Sequence, residues 1–169
     1  MGVRSLRRQD LHRLAGRADP ENGKFVNAWG RKGPAAGELD TPHGIAMDSA
    51  GRLYVADRSN NRVQVFDQSG KFIAEWKQFG RPSGVFVDKN DMIYVADSQS
   101  GEKFNKPFKQ DIRIGSVKDG KVVAFIPETP AVPHMPEGVA PDDEGNVFAG
   151  FTEMHTVKKY AKTDRHAEK

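Results

Sequence analysis

The run Pro42-His43-Gly44-Ile45-Ala46-Met47-Asp48, followed by Gly51-Arg52-Leu53-Tyr54-Val55-Ala56-Asp57, returns 40 residues later. There it reads Pro82-Ser83-Gly84-Val85-Phe86-Val87-Asp88 and then Asp91-Met92-Ile93-Tyr94-Val95-Ala96-Asp97. A third, looser copy reads Pro136-Glu137-Gly138-Val139-Ala140-Pro141-Asp142 and then Gly145-Asn146-Val147-Phe148-Ala149-Gly150. A unit recurring every 40 to 54 residues excludes most folds, because each copy must be one small supersecondary unit that stacks on the next. Within each copy the residues read as strand, tight turn, strand, so the chain is all-β.

Repeat one predicts strands over Gly44–Asp48, Leu53–Ala56, Arg62–Asp67 and Lys71–Trp76. Ser49-Ala50-Gly51 and Gln68-Ser69-Gly70 are the hairpin turns, with Gly where a positive φ is cheap. Repeat two predicts Gly84–Asp88, Ile93–Ala96, Ile112–Ser116 and Lys121–Ile126, with an insertion from Ser98 to Asp111. Repeat three predicts Gly138–Asp142, Val147–Gly150 and Thr156–Ala161 and lacks a fourth strand. Near the start, Gly23-Lys24-Phe25-Val26-Asn27-Ala28-Trp29-Gly30 alternates apolar and polar and matches the fourth strands Gly70–Trp76 and Gly120–Phe125. The chain thus has a spare fourth strand at one end and a missing one at the other. Circular β-propellers manage their edges this way.

Composition trims the functional classes. The 169 residues hold no Cys, so disulfides and thiolate metal sites are excluded, and any metal must be held by His and carboxylates. Net charge is only +3, and the excess sits among Arg4, Arg7, Arg8, Arg13 and Arg17. That argues against nucleic acid as a partner, although Lys103, Lys106, Lys109 and Arg113 in and beside the insertion could form a basic patch. No apolar run spans a membrane and no secretory signal follows the early arginines, so the default expectation is cytoplasmic. Three regions are expected: a flexible basic arm over 1–22, the repeat region over 23–162, and a charged tail over 163–169. Blades are expected at about 43–77, 83–127 and 137–162, plus the strand 23–30.

The run Gly-x-Leu-Tyr-Val-Ala-Asp-Arg-x-Asn-Asn-Arg-Val-Gln-Val-Phe from Gly51 to Phe66, with Pro42-His43-Gly44 before it, resembles the NHL repeat, one blade of a six-bladed β-propeller. The stretch from Gly23 to Lys162 resembles the C-terminal half of bacterial NHL proteins that are like peptidyl-α-hydroxyglycine α-amidating lyase. The resemblance implies about three four-stranded blades, half of a six-bladed ring. It implies a zinc-dependent carbon–nitrogen lyase or related hydrolase, acting in the central channel on a peptide-like substrate. His43 falls on a zinc-ligand position of the family, and Arg58 on a substrate-binding arginine. Glu137 stands where the family has another zinc His, and His134 is a substitute ligand. The family's first zinc His and its catalytic Tyr have no counterpart here, so no catalytic residue is assigned. A homodimer of two half-propellers would rebuild a ring. The alternative is a non-catalytic scaffold that binds a peptide, protein or nucleic-acid partner on its loop face.

The remaining recurrent residues read as structural. Asp57 and Asp97 are acceptors for backbone donors, and Asp48, Asp88 and Asp142 are turn residues. Tyr54, Tyr94 and Phe148 are expected between blades, and Trp29 and Trp76 on a blade's outer edge. His12, His155 and His166 are expected on the surface.

Overall fold

The computed structural model describes residues 25–127 and 135–163. Three antiparallel sheets follow one another along the chain. The first runs β1 (Pro42–Met47), β2 (Leu53–Asp57), β3 (Arg62–Phe66) and β4 (Phe72–Trp76), neighbours in that order. The second runs β5 (Pro82–Val87), β6 (Met92–Asp97), β7 (Asp111–Ser116) and β8 (Val122–Pro127). The third holds β9 (Pro136–Pro141), β10 (Val147–Phe151) and β11 (Thr156–Tyr160), with β10 in the middle. Each sheet is a meander, and the sheets stack as successive blades of a propeller.

The local chemistry of each blade repeats. Strands one and two join through a turn whose leading Asp accepts the amides two and four residues on. Asp48 takes Ala50 and Arg52, Asp88 takes Asn90 and Met92, and Asp142 takes Glu144 and Asn146. A side chain that satisfies two turn amides in this way fixes the hairpin. Each first strand opens on Pro, where no ladder donor is needed. In all three blades a bulge follows, with Pro42 opposite Asp57, Pro82 opposite Asp97 and Pro136 opposite Phe151.

The first strands lie side by side around the inside of the arc. Gly44 and Gly84 let them come close. A Cβ at Gly44 would stand 2.6 Å from the Ser83 carbonyl oxygen, and one at Gly84 would stand 2.5 Å from that of Glu137. Apolar side chains then fill the gaps between blades. Tyr54, Val63 and Val65 of blade one meet Ile93 and Val95 of blade two, with Phe79 from the connecting loop. Tyr94 and Ile112 of blade two meet Val147, Ala149 and Phe151 of blade three.

Two expectations change. Residues 25–30 form no ladder, although the sequence predicts a strand over 23–30. A strand needs a neighbour, and the described residues offer it none; residues 23 and 24 lie outside them. Trp29 instead lies on the flank of blade one, its ring 6.3 Å from that of Phe66. Phe148 is not packed between blades. It is half-buried on the outer flank of blade three, with the Lys159 ammonium 5.4 Å from its ring. The predicted arm over 1–22, the tail beyond 163, His12, His134 and His166 lie outside the described residues.

Candidate functional site at the inner end of the blades

The second residue of each inner strand is His43, Ser83 and Glu137 in turn, and the residue after each second strand is Arg58, Ser98 and Thr152. The bulges turn these ends toward one another, and five of the six are joined by contacts. Glu137 lies at the centre. Its Oε1 accepts from Arg58 Nη2 at 3.2 Å, and its Oε2 stands 3.7 Å from His43 Nδ1. Arg58 Nη2 also donates to Ser98 Oγ at 3.1 Å, and Ser98 Oγ shares a hydrogen bond of 2.6 Å with Ser83 Oγ.

Two polar atoms of this cluster are buried without a hydrogen-bond partner, Arg58 Nε and Glu137 Oε2. Buried polar atoms are ordinarily satisfied, so an unpaired donor and an unpaired acceptor on two side chains in contact mark a place where a polar ligand would be stabilised. Arg58 is held from below. Its carbonyl accepts from Arg81 Nη1, which also donates to Asn61 Oδ1. Arg81 lies flat on Phe104, 4.7 Å from the ring centre, and binds Gln99 through Nε. Burial and the neighbouring Arg58 charge pull the Arg81 pKa below its usual value, though a guanidinium stays charged. The Asp97 and Asp40 charges act on Arg81 in the opposite sense.

The sequence reading placed His43, Glu137 and Arg58 in the site, and the structure brings all three together. It missed Ser83 and Ser98, which the 40-residue offset from His43 and Arg58 could have found. It also missed Arg81, which sits in a connecting loop with no counterpart in the motif. The insertion does not present Arg113 to solvent. Arg113 is buried, paired with Asp97 at 2.9 Å and Asp111 at 3.2 Å and flanked by Phe108 and Phe125. Lys106 is engaged by Glu102. The basic patch predicted there is therefore reduced to Lys103 and Lys109, and Lys103 lies over Phe104.

For zinc, an imidazole nitrogen and a buried carboxylate oxygen with no hydrogen-bond partner are the right kinds of donor. They are two donors where a catalytic site uses three. Among the described residues no group of three or more His, Asp or Glu could hold a metal ion. On their own these two donors leave a site for the metal incomplete. No helix among the described residues is long and apolar enough to cross a membrane.

A family model for the NHL repeat matches residues 39–66. The chain is 32% identical over 156 residues to peptidyl-glycine alpha-amidating monooxygenase B of Xenopus laevis, covering 83% of this chain and 17% of that protein. It is 52% identical over 50 residues to protein lin-41 of Caenorhabditis elegans, covering 30% of this chain and 4% of that protein. It therefore spans less than a fifth of the length of these relatives. Among solved structures, a catalytically inactive virginiamycin B lyase from Staphylococcus aureus with quinupristin superposes with a TM-score of 0.53 at 14% identity, covering 75% of this chain and 43% of that one. At that identity the likeness speaks for the fold alone. The chain is thus an NHL-repeat protein of β-propeller architecture, similar over most of its length to part of the peptidyl-glycine alpha-amidating monooxygenases.

Proposed function

We propose that this chain carries half of a channel-end site of the amidating-lyase type. His43 and Glu137 are its metal ligands, zinc is the metal, and Arg58 grips the carboxylate of an acyl α-hydroxyglycine. The observation that supports this is the convergence of His43, Arg58 and Glu137 around two unsatisfied buried atoms. Zinc bound there would supply Lewis acidity at the substrate hydroxyl oxygen. The reaction itself needs that hydroxyl to lose its proton as the carbon–nitrogen bond breaks toward nitrogen. Nitrogen takes up a proton, which gives an amide and glyoxylate. Arg58 orients the substrate through the free Nε edge of its guanidinium, while Nη2 stays on Ser98 and Glu137. A fork held on two sides is pre-organised for a planar carboxylate.

The test is calorimetric titration of the metal-free full chain with zinc, followed by glyoxylate release from benzoyl-α-hydroxyglycine. His43→Ala and Glu137→Gln should each weaken zinc binding by roughly tenfold or more, since even residues behind a metal ligand carry that much. A chain that takes up no zinc loses this reading.

A second reading is favoured by one feature. Arg58 already occupies one oxygen of Glu137, and no third donor joins the pair among the described residues. On this reading the site is non-catalytic and binds a peptide or protein partner through an anionic group. Carboxylate-terminated peptides would then bind the zinc-free chain, and Arg58→Ala would abolish the binding.

A further inference from the structure

The repeat makes the two end flanks of the arc comparable with its two internal junctions. At the first junction, Trp76 of the outer strand β4 packs on Tyr54, 5.3 Å between ring centres, and on Phe79 at 6.0 Å. The same Trp76 lies so close to the β7–β8 turn of blade two that a Cβ at Gly120 would meet its ring at 2.7 Å. Residues 25–30 reproduce this geometry one blade earlier. A Cβ at Gly70, in the β3–β4 turn of blade one, would meet the Trp29 ring at 2.6 Å. Leu39, three residues before Pro42 as Phe79 is three before Pro82, packs beside Trp29 on Leu53, Val55 and Phe66. Residues 25–30 therefore stand where the outer strand of a preceding blade stands, and no other strand of such a blade lies among the described residues. An open cavity of about 420 Å³ remains between Trp29, Leu39, His43, Ile45 and Val55.

The far flank of blade three is the complement. Its outermost strand, β11, has no neighbour on its outer side among the described residues. Phe148, the counterpart of Tyr54 and Tyr94, faces outward. The inner-strand glycine is there too. Gly44 and Gly84 each admit the next inner strand at about van der Waals limit, but a Cβ at Gly138 would meet nothing within 4 Å, and one at Gly150 likewise. One end of the arc offers a fourth strand and an empty cavity. The other shows no fourth strand among the described residues and carries the half-buried Phe148 ring on its flank.

We propose that these two flanks dock on each other between two copies of this chain. Residues 25–30 of each copy add as a fourth strand to β11 of the other, and Phe148 of each fills the cavity beside Trp29 and Leu39 of the other. Strand addition of this kind satisfies a free edge with main-chain hydrogen bonds. The occupant is a second copy because each flank matches the other and is unlike itself. Two such junctions related by a two-fold axis leave neither flank exposed. By the spacing of the existing junctions, Gly138 then faces the carbonyl of the other copy's His43, as Gly44 faces that of Ser83 and Gly84 that of Glu137. Each copy brings a His43–Glu137 pair to the shared axis, so the half-site described above becomes whole only in the dimer. The docking itself does not depend on metal.

The experiment is light scattering on the full chain across a concentration series, metal-free and with zinc. The expected mass is twice 18.7 kDa. Gly138→Leu and Gly150→Leu should weaken dimerisation by about 30-fold or more, the effect of blocking the centre of an interface. Both should keep the circular dichroism of the parent, because their side chains enter open space within one copy. Amides of residues 25–30 and 156–160 should be protected from hydrogen exchange in the dimer and lose protection in Gly138→Leu. A monomer at all concentrations overturns the proposal, as does a dimer indifferent to both substitutions or an open-ended series of larger species. A dimer that takes up no zinc leaves the docking intact and removes only the lyase reading.

Discussion

Blade one and blade three share a backbone plan and differ in what stands at the end of the second strand. In blade one that residue is Asp57, fully buried. It accepts from the amide of Asp40 and from the side chains of Asn60, Arg62 and Gln64. Arg62 continues the network to Glu75 at 2.7 Å and to the carbonyls of Ala35 and Glu38. In blade three the same position is Phe151, also buried, among Tyr94, Ile112 and Ile126. One blade ties its connecting loop down with a carboxylate, and the other fills the same position with an aromatic ring packed against blade two. The position demands filling, and the neighbouring loop decides the chemistry. Residues 31–41 run past Asp57 with free amides and carbonyls, whereas Phe151 meets the apolar flank of blade two.

The largest expected effect follows from that difference. Asp57→Ala removes the acceptor for four donors and leaves the buried Arg62 guanidinium with the Glu75 carboxylate and the Ala35 and Glu38 carbonyls, its Nε unpaired. Breaking a buried pair by deleting one partner costs about 3–5 kcal/mol, and urea denaturation should show a loss in that range. Phe151→Ala should cost about 3–5 kcal/mol as a cavity instead. Restoring volume should separate the two: Phe151→Leu should recover part of the Phe151→Ala loss, whereas Asp57→Leu should recover none of the Asp57→Ala loss. Equal recovery would break the contrast between a polar and an apolar anchor.

Next in size is the glycine pair. Gly84→Ala forces a methyl against the Glu137 carbonyl and should destabilise by about 1–3 kcal/mol, the usual cost of overpacking. Gly138→Ala meets open space in one copy and should stay within about 0.5 kcal/mol for the monomer. Thermal melts of both variants under dilute, monomeric conditions check this. Similar losses would mean that the flank of blade three is already covered.

Much of this organisation was legible in the sequence, because the repeat fixes which residues share a position. The strands and the turn aspartates follow from the offset, while the grouping of His43, Arg58 and Glu137 rests on the resemblance of their motifs to those of a family. Ser83 and Ser98 were equally available, since they stand at the His43 and Arg58 positions of the second copy. Arg81 was not, because its place depends on the path of a connecting loop. Arg113 was misread for a related reason. A run of basic residues looks solvated in one dimension, but β7 turns Arg113 inward to Asp97, a carboxylate 16 residues earlier. The contact between Glu137 and Arg58 crosses two blades and depends on the curvature of the arc. No local pattern encodes that curvature.

A smaller contrast lies in the turn that opens each second strand. Tyr54 donates to Asp48 Oδ2 at 2.9 Å and Tyr94 to Asp88 Oδ2 at 3.2 Å, while Phe148 has no hydroxyl to give to Asp142. Burial, reinforced by the Asp88 charge and hydrogen bond, pushes the Tyr94 hydroxyl up to about 12. Burial beside Asp48 pushes that of Tyr54 up as well. Tyr54→Phe should cost about 1–2 kcal/mol, the net worth of a buried hydrogen bond to a carboxylate, while Asp48 Oδ2 keeps its bond from Arg52. Phe148→Tyr, on an open flank, should lie within about 0.5 kcal/mol. Melting temperatures of the two variants sharpen the difference between a closed and an open junction.

The smallest effect concerns Arg52, whose counterpart in blade two is Met92. Burial alone would raise the Asp48 pKa. The hydrogen bonds from the Arg52 amide and guanidinium, and from Tyr54, outweigh it and hold the carboxyl below its usual value. Arg52 Nε lies 2.6 Å from Asp48 Oδ2, but its side chain is about a third exposed, so the pair contributes only about 0.5–1 kcal/mol after screening. A depressed carboxyl stabilises the fold above its unfolded pKa of 3.8, and that stability is lost as pH falls through the lower folded value. Arg52→Met removes the guanidinium, keeps the Arg52-position amide and makes blade one resemble blade two. Its deficit relative to the parent should therefore be largest at pH values well above 3.8 and shrink as pH falls below that value. A deficit that stays constant across that range would mean Arg52 acts by packing its stem and not by its charge on Asp48.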